Sequence, residues 1–267
     1  MRWVLSLIMT IGLVGCGKKT PQTQIEAKTE PKSAAKKPDA PKAFTNTLGM
    51  KFVQVPWAKV QFCIWETRVK DYAAYATANV GVNEDWKRVS HRKSKHPVTR
   101  VSWEDAVAFC KWLTEKELAE GIIEMGQKYR LPTDAEWSMA VGLGQEKGKT
   151  PAEKSKNTEE GYPWGKEWPP YPKAGNYDLG SKIDPFKNTA PVGSFAANKF
   201  GLHDMGGNAW EWCEDSYFGP GWLSRVLRGA CWNTGEQFKL LSSYREGLSH
   251  DFRYSGFIGF RCVLASE

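Results

Sequence analysis

The chain has 267 residues, 41% of them hydrophobic and 13% aromatic, and a formal net charge of +7. Residues 1–43 hold eight Lys and Arg against three Asp and Glu, leaving 29 against 27 in residues 44–267, so the basic excess belongs to one end and is not a nucleic-acid signature. Six cysteines with no CxxC and no paired His/Cys spacing give no support to a structural zinc site.

Met1-Arg2 is a short basic start, and Trp3 to Val14 is an apolar run too short to cross a bilayer as a permanent helix. Residues 1–15 therefore read as a signal peptide. The run closes on Leu13-Val14-Gly15-Cys16, which is similar to a bacterial lipobox and predicts cleavage before Cys16 and acylation of its thiol. The membrane is then the first expected partner, with the protein lipid-anchored in the cell envelope, in the outer membrane where one exists, and its folded part outside the cytoplasm. Residues 16–43 are Lys, Pro, Ala, Thr and Gln with no apolar period, a composition that buries too little surface to offset chain entropy, and they read as a tether. Residues 44–267 are expected to form one domain.

Within that domain, Met50 to Pro56 and Val60 to Trp65 alternate apolar and polar residues, predicting two strands with a turn near Ala58-Lys59. Thr67 is placed to cap a helix that carries Val69, Tyr72, Ala73 and Ala76 on one face. Ser102-Trp103-Glu104-Asp105 and Thr133-Asp134-Ala135-Glu136 read as capping boxes, each opening a helix, with Gly121 and Gly142 as stops. Cys110 shares an apolar face with Ala106, Phe109 and Leu113, so it reads as a small buried hydrophobe. Leu143 to Pro172 reads as a long surface loop pinned by Tyr162-Pro163-Trp164-Gly165. Beyond it lie short turns and short strands, including Arg225 to Arg228 and Phe260 to Leu264.

A series of motifs runs through most of residues 48–264. They are Trp65-Glu66-Thr67-Arg68-Val69, the run from His96 to Ala106, Arg130-Leu131-Pro132-Thr133-Asp134-Ala135-Glu136-Trp137, Tyr162 to Gly165, Ala190 to Phe195, Phe200 to Trp212, Arg228-Gly229-Ala230-Cys231-Trp232-Asn233, and Gly259-Phe260-Arg261-Cys262. In this order they resemble the formylglycine-generating-enzyme, or sulfatase-modifying-factor, family. The resemblance implies an α+β, loop-rich body of C-type-lectin-like topology, often stabilised by calcium. It places one calcium set on Asp204, Gly207, Ala209 and Glu211 and a second on Asn176, Tyr177, Asp184 and Phe186, a mix of carboxylate, amide and backbone oxygens that suits a hard dication.

The oxidases of this family hold copper(I) on two cysteines that follow the Gly-Gly-Ser turn, and soft thiolates suit that ion. Here the aligned positions are Thr234 and Lys239, and no copper site is expected. Cys231, inside the turn, is the one weak catalytic candidate, and it needs a partner such as Cys213 or Cys262 in space. The four histidines show no three-His pattern for non-haem iron. The expected function is a non-catalytic binding or accessory module for a peptide, protein or glycan ligand. Its groove is expected on Trp232, Asn233, Tyr244, Arg245 and Arg253, since arginines and aromatics together suit such ligands. The alternative is an oxidase of protein cysteine working through a displaced thiol site.

Overall fold

The computed structural model describes residues 43–88, 93–156, 161–180 and 182–266. These lie within Ala40–Glu267, the second of two units into which the chain divides. The expected signal peptide, Cys16 and nearly all of the tether lie outside the described residues.

Two sheets and three main helices build the domain. The first sheet has the order β1-β2-β3-β9-β4, all antiparallel, from Phe44–Thr45, Lys51–Gln54, Val60–Cys63, Val263–Ser266 and Gln127–Arg130 respectively. β2 and β3 are the two alternating segments expected, and the chain turns between them through left-handed Trp57 and Lys59. The last strand, β9, lies between β3 and β4, with Phe62 opposite Val263 and Tyr129 opposite Leu264. The second sheet has the order β7-β6-β5-β8: Glu246–Ser249, Ser224–Arg228 and Trp210–Ser216 pair antiparallel, and Ile258–Gly259 runs parallel to β5.

The helices start where side chains can satisfy their free amides. In α2, Trp103–Ala119, the Asp105 amide donates to Ser102 Oγ (3.1 Å) and the Ser102 amide to the Asp105 carboxylate (2.8 Å). α3, Asp134–Val141, uses Thr133 and Glu136 in the same way and ends on Gly142 at φ +102°, where a Cβ would be strained. α1, Val69–Ala78, corrects the expected cap. Arg68 occupies the capping position, its amide and guanidinium both donating to Asp71, while the Thr67 hydroxyl sits 3.6 Å from Cys262 Sγ. A second correction falls in the stretch read as loop: Pro151–Lys156 forms a short α4, with proline in the first turn, where its missing N–H costs nothing.

α2 turns Ala106, Phe109, Cys110 and Leu113 inward, as the spacing predicts. Phe109 stacks on Tyr72 of α1 (5.8 Å) and meets Phe260 edge-on (5.5 Å), tying both helices to the segment before β9. Burying each such ring contributes about 1.5–3 kcal/mol. Cys63, Cys110, Cys213, Cys231 and Cys262 are all buried and unbridged. Cys110 and Cys262 sulfurs lie 3.6 Å apart.

Candidate functional site

A cleft of about 390 Å³ opens beside the second sheet. Trp210 of β5, Glu246 of β7 and the turn after β6 line it, together with Lys239 of the 3-10 turn Gln237–Leu240 and Phe252, Ser255, Phe257 and Ile258. The turn after β6 is sharp because Gly229 and Ala230 are both left-handed, and it closes on itself: Thr234 N donates to Cys231 O (3.0 Å) and Cys231 N to Thr234 Oγ1 (3.2 Å). Gly235 has to be glycine, since a Cβ there would meet Asp178 O at 2.6 Å.

Cys231 lies on the cleft wall but only 2% exposed, its sulfur 3.3 Å from Thr234 Oγ1. Burial pushes its thiol up to about 11, against the hydrogen bond from Thr234, so the nucleophilic thiolate is scarce at neutral pH. The sulfur's side-chain hydrogen-bond partners are Thr234 and Trp210, with no second thiol among them. Lys239, also on the wall, pairs with Glu236 at 3.0 Å.

Of the five residues expected to form the groove, Asn233 alone lines this cleft. Arg245 is a correction: it is 1% exposed and donates to Asp134 (2.7 Å) and to Glu146, so its guanidinium is consumed inside the protein. Arg228 joins Asp134 from β6 and lies over the Trp137 ring at 4.4 Å. Arg253 is half-buried and spans to Asp105 (3.1 Å) and Ser102 (3.2 Å) at the start of α2. Tyr244 donates its hydroxyl to Glu246 (3.0 Å). Trp232 is half-buried, with its amide on Asn208 O (3.1 Å) and its indole N–H without a protein partner. Trp210, Glu246, Phe252 and Phe257 were not anticipated for the cleft; only the Trp-x-Trp alternation of β5 hinted that Trp210 faces differently from its neighbour.

The first expected calcium set surrounds a guanidinium. Asp204, Gly207 and Asn208 form a left-handed bend, and a Cβ on Gly207 would strike Asn176 O at 2.3 Å. Arg261 donates to both oxygens of Glu211 (2.7 and 2.5 Å) and to the carbonyls of His203 and Asp204, while Trp137 Nε1 gives Glu211 a further bond (2.9 Å). Glu66 accepts from Asn208 Nδ2 (2.6 Å) and the Ala209 amide (3.0 Å). Burial, then repulsion from Asp204 and Glu211, raises the Glu66 carboxyl well above its ordinary range. Burial likewise raises Asp204, despite the Gly193 amide (2.8 Å).

The second set is different in kind. Asn176 is 1% exposed; its amide N–H donates to Asn188 O (2.9 Å), and its Oδ1 is buried with no donor. Beside it the Asp184 carboxylate accepts from Tyr177 N (3.1 Å) and Phe186 N (2.8 Å), leaving lone pairs to spare. An acceptor-rich pocket with an orphaned oxygen fits a hard cation better than a carboxylate already claimed by arginine. Among the described residues no three His, Cys, Asp or Glu side chains converge to hold a metal, so a cation at either set would rely on amide and backbone oxygens beside at most two carboxylates.

The comparisons with known proteins decide the family. The model of the sulfatase-modifying factor enzyme 1-like domain matches residues 16–266. The chain belongs to that family. Formylglycine-generating enzyme of Thermomonospora curvata is 36% identical over 132 residues, 46% of this chain and 34% of that protein. The inactive C-alpha-formylglycine-generating enzyme 2 of Mus musculus is 34% identical over 183 residues, 65% of this chain and 51% of that one. The chain thus spans between a third and about half of the length of these curated relatives. The structure of PvdO from Pseudomonas aeruginosa matches with a TM-score of 0.61 at 20% identity, covering 86% of this chain and 100% of PvdO, which shows the shared fold. The sulfatase-modifying-factor fold is α+β and mixed here, as the motifs implied. Thr234 and Lys239, the positions that the resemblance sets against the oxidases' thiols, both line the cleft.

Proposed function

We propose that this protein is a lipid-anchored, envelope-facing binding or accessory module that uses the sulfatase-modifying-factor cleft to hold a ligand without oxidising it. One observation supports the reading: Thr234 and Lys239, the positions that the resemblance sets against the oxidases' two thiols, line the same cleft as Cys231, a buried thiol whose side-chain hydrogen-bond partners are not thiols. A copper(I) ion needs soft ligands, and one protonated sulfur beside a hydroxyl and an ammonium does not supply them. The relatives described as inactive support the same view.

The test is to incubate the reduced protein and copper with a cysteine-containing sulfatase-type peptide and follow the product by mass spectrometry. The expected result is no aldehyde above a Cys231→Ser control; aldehyde that depends on Cys231 would reverse the reading in favour of a displaced-thiol oxidase. Anchoring rests on Cys16, and a Cys16→Ser chain is expected to lose its acyl mass and leave the membrane fraction.

Calcium belongs to the same reading as a structural ion. Asn176 Oδ1 and the Asp184 carboxylate, with the carbonyls of Tyr177 and Phe186, would hold it, and it would supply positive charge to a loop region that otherwise leaves an acceptor orphaned. Chelation is expected to lower the melting temperature of the wild type and to leave an Asn176→Ala variant unmoved. Equal melting of the wild type with and without chelator would remove the ion from the account.

A further inference from the structure

The cleft walls carry an unbalanced charge. Three ionisable side chains with a formal charge at neutral pH face it: Glu236, Lys239 and Glu246. Lys239 is bound to Glu236 at 3.0 Å, which cancels both. Glu246 is half-buried on β7, and the bonds to its carboxylate come from the Tyr244 hydroxyl (3.0 Å) and its neighbouring Gly247 amide (3.2 Å), both neutral donors. No Lys, Arg or His among the described residues pairs with it. The rings of Trp210, Phe252 and Phe257 line the same cavity, and the Ser255 hydroxyl beside them is buried without a partner.

A carboxylate without a counterion in an aromatic-walled cavity is a site for an organic cation. The carboxylate supplies charge, ring faces attract cations through their quadrupoles, and apolar walls cover an aliphatic stem. An anionic ligand would meet repulsion from Glu246, and a neutral one would leave that charge uncompensated on desolvation. We infer that the cleft selects a ligand bearing an ammonium or guanidinium group on an aliphatic stem, with Glu246 as the specificity-determining residue. The inference rests on the binding reading above and narrows its ligand class. A basic peptide side chain and a free alkylamine share this chemistry.

The full chain is titrated, with tryptophan fluorescence and calorimetry as readouts, against N-acetyl-Ala-Lys-Ala-amide, its norleucine counterpart, and n-pentylamine. The lysine peptide is expected to bind at least about tenfold tighter than the norleucine peptide, a gap of about 1.4 kcal/mol. Glu246→Gln, which keeps the acceptor for Tyr244, is expected to abolish that gap while its melting temperature stays near the wild-type value. Pentylamine binding as tightly as the lysine peptide assigns the site to free amines; a peptide advantage assigns it to a side chain in a chain. Equal binding of lysine and norleucine peptides, or a preference that survives in Glu246→Gln, overturns the cation claim and leaves the binding reading standing. Failure of all three probes overturns both. Should Glu246→Gln not fold, a Glu246→Asp chain, with its carboxylate withdrawn, is expected to weaken the preference; an undiminished preference there counts against the claim.

Discussion

Asp134 holds more buried charge together than any motif in the chain announces. Its carboxylate is 1% exposed and takes bonds from Arg245, Arg228 and Lys154, contributed by three separate segments. Burial alone would raise the carboxyl, yet these cations hold it well below the ordinary carboxylate range. Its contribution to stability is therefore fully present above the unfolded value of about 3.9 and is lost as pH falls from there through the lower folded value. Urea titrations repeated from pH 6 downward are expected to show a steep loss below about pH 4 in the wild type. Asp134→Asn should be less stable by roughly 3–5 kcal/mol at pH 6, because two buried guanidinium groups lose their partner, and should show a flatter pH profile. The residue was legible only as the first position of a capped helix. Its role depends on Arg228 and Arg245 arriving from 94 and 111 residues along the chain, which spacing in one sequence does not encode. Arg245 was misread for the same reason: an arginine beside a tyrosine looks the same whether it faces a ligand or an internal carboxylate.

At the scale of elements, the local signals were dependable where the chemistry was local. Both capping boxes formed, because Ser102 with Asp105 and Thr133 with Glu136 need only a three-residue reach. Ser102→Ala is expected to cost about 1 kcal/mol in thermal or chemical unfolding. The cap at Thr67 did not form, since its hydroxyl is drawn to Cys262 on a distant segment and Asp71 with Arg68 takes over. Cys110 and Cys262 show what element packing adds. They are 152 residues apart in sequence, with sulfurs at 3.6 Å, and a bond of about 2.05 Å needs only a small closure. Both are buried, so oxidised glutathione is expected to link them when it is present as the unfolded chain refolds, each thiol giving up a proton and an electron as glutathione is reduced, and peptide mapping should recover the 110–262 crosslink. The link should raise stability by about 2–4 kcal/mol, and mapping that finds Cys231 crosslinked instead would contradict the geometry.

At the scale of the whole molecule, the family and its α+β architecture could be read from the ordered motifs, while the cleft could be placed only at the right turn. Cys231, Asn233 and Thr234 come from that turn and Lys239 from the 3-10 turn after it, but Trp210, Glu246 and Phe252 are delivered by the second sheet and the loops beyond it. Neither hydrophobic alternation nor the motif order carries the charge balance of a cavity wall, so the proposed ligand class rests on the assembled fold. The placement of β9 has a further meaning for how this protein is made. Its four residues fill the slot between β3 and β4, so a nascent chain halted before Val263 presents two open strand edges and has its earliest strands waiting for its latest. Synthesis must deliver β9 before the sheet can lock. Even a truncation that removes only β9 should yield aggregates instead of a slightly less stable fold, which separates fragments from intact molecules at the folding step itself.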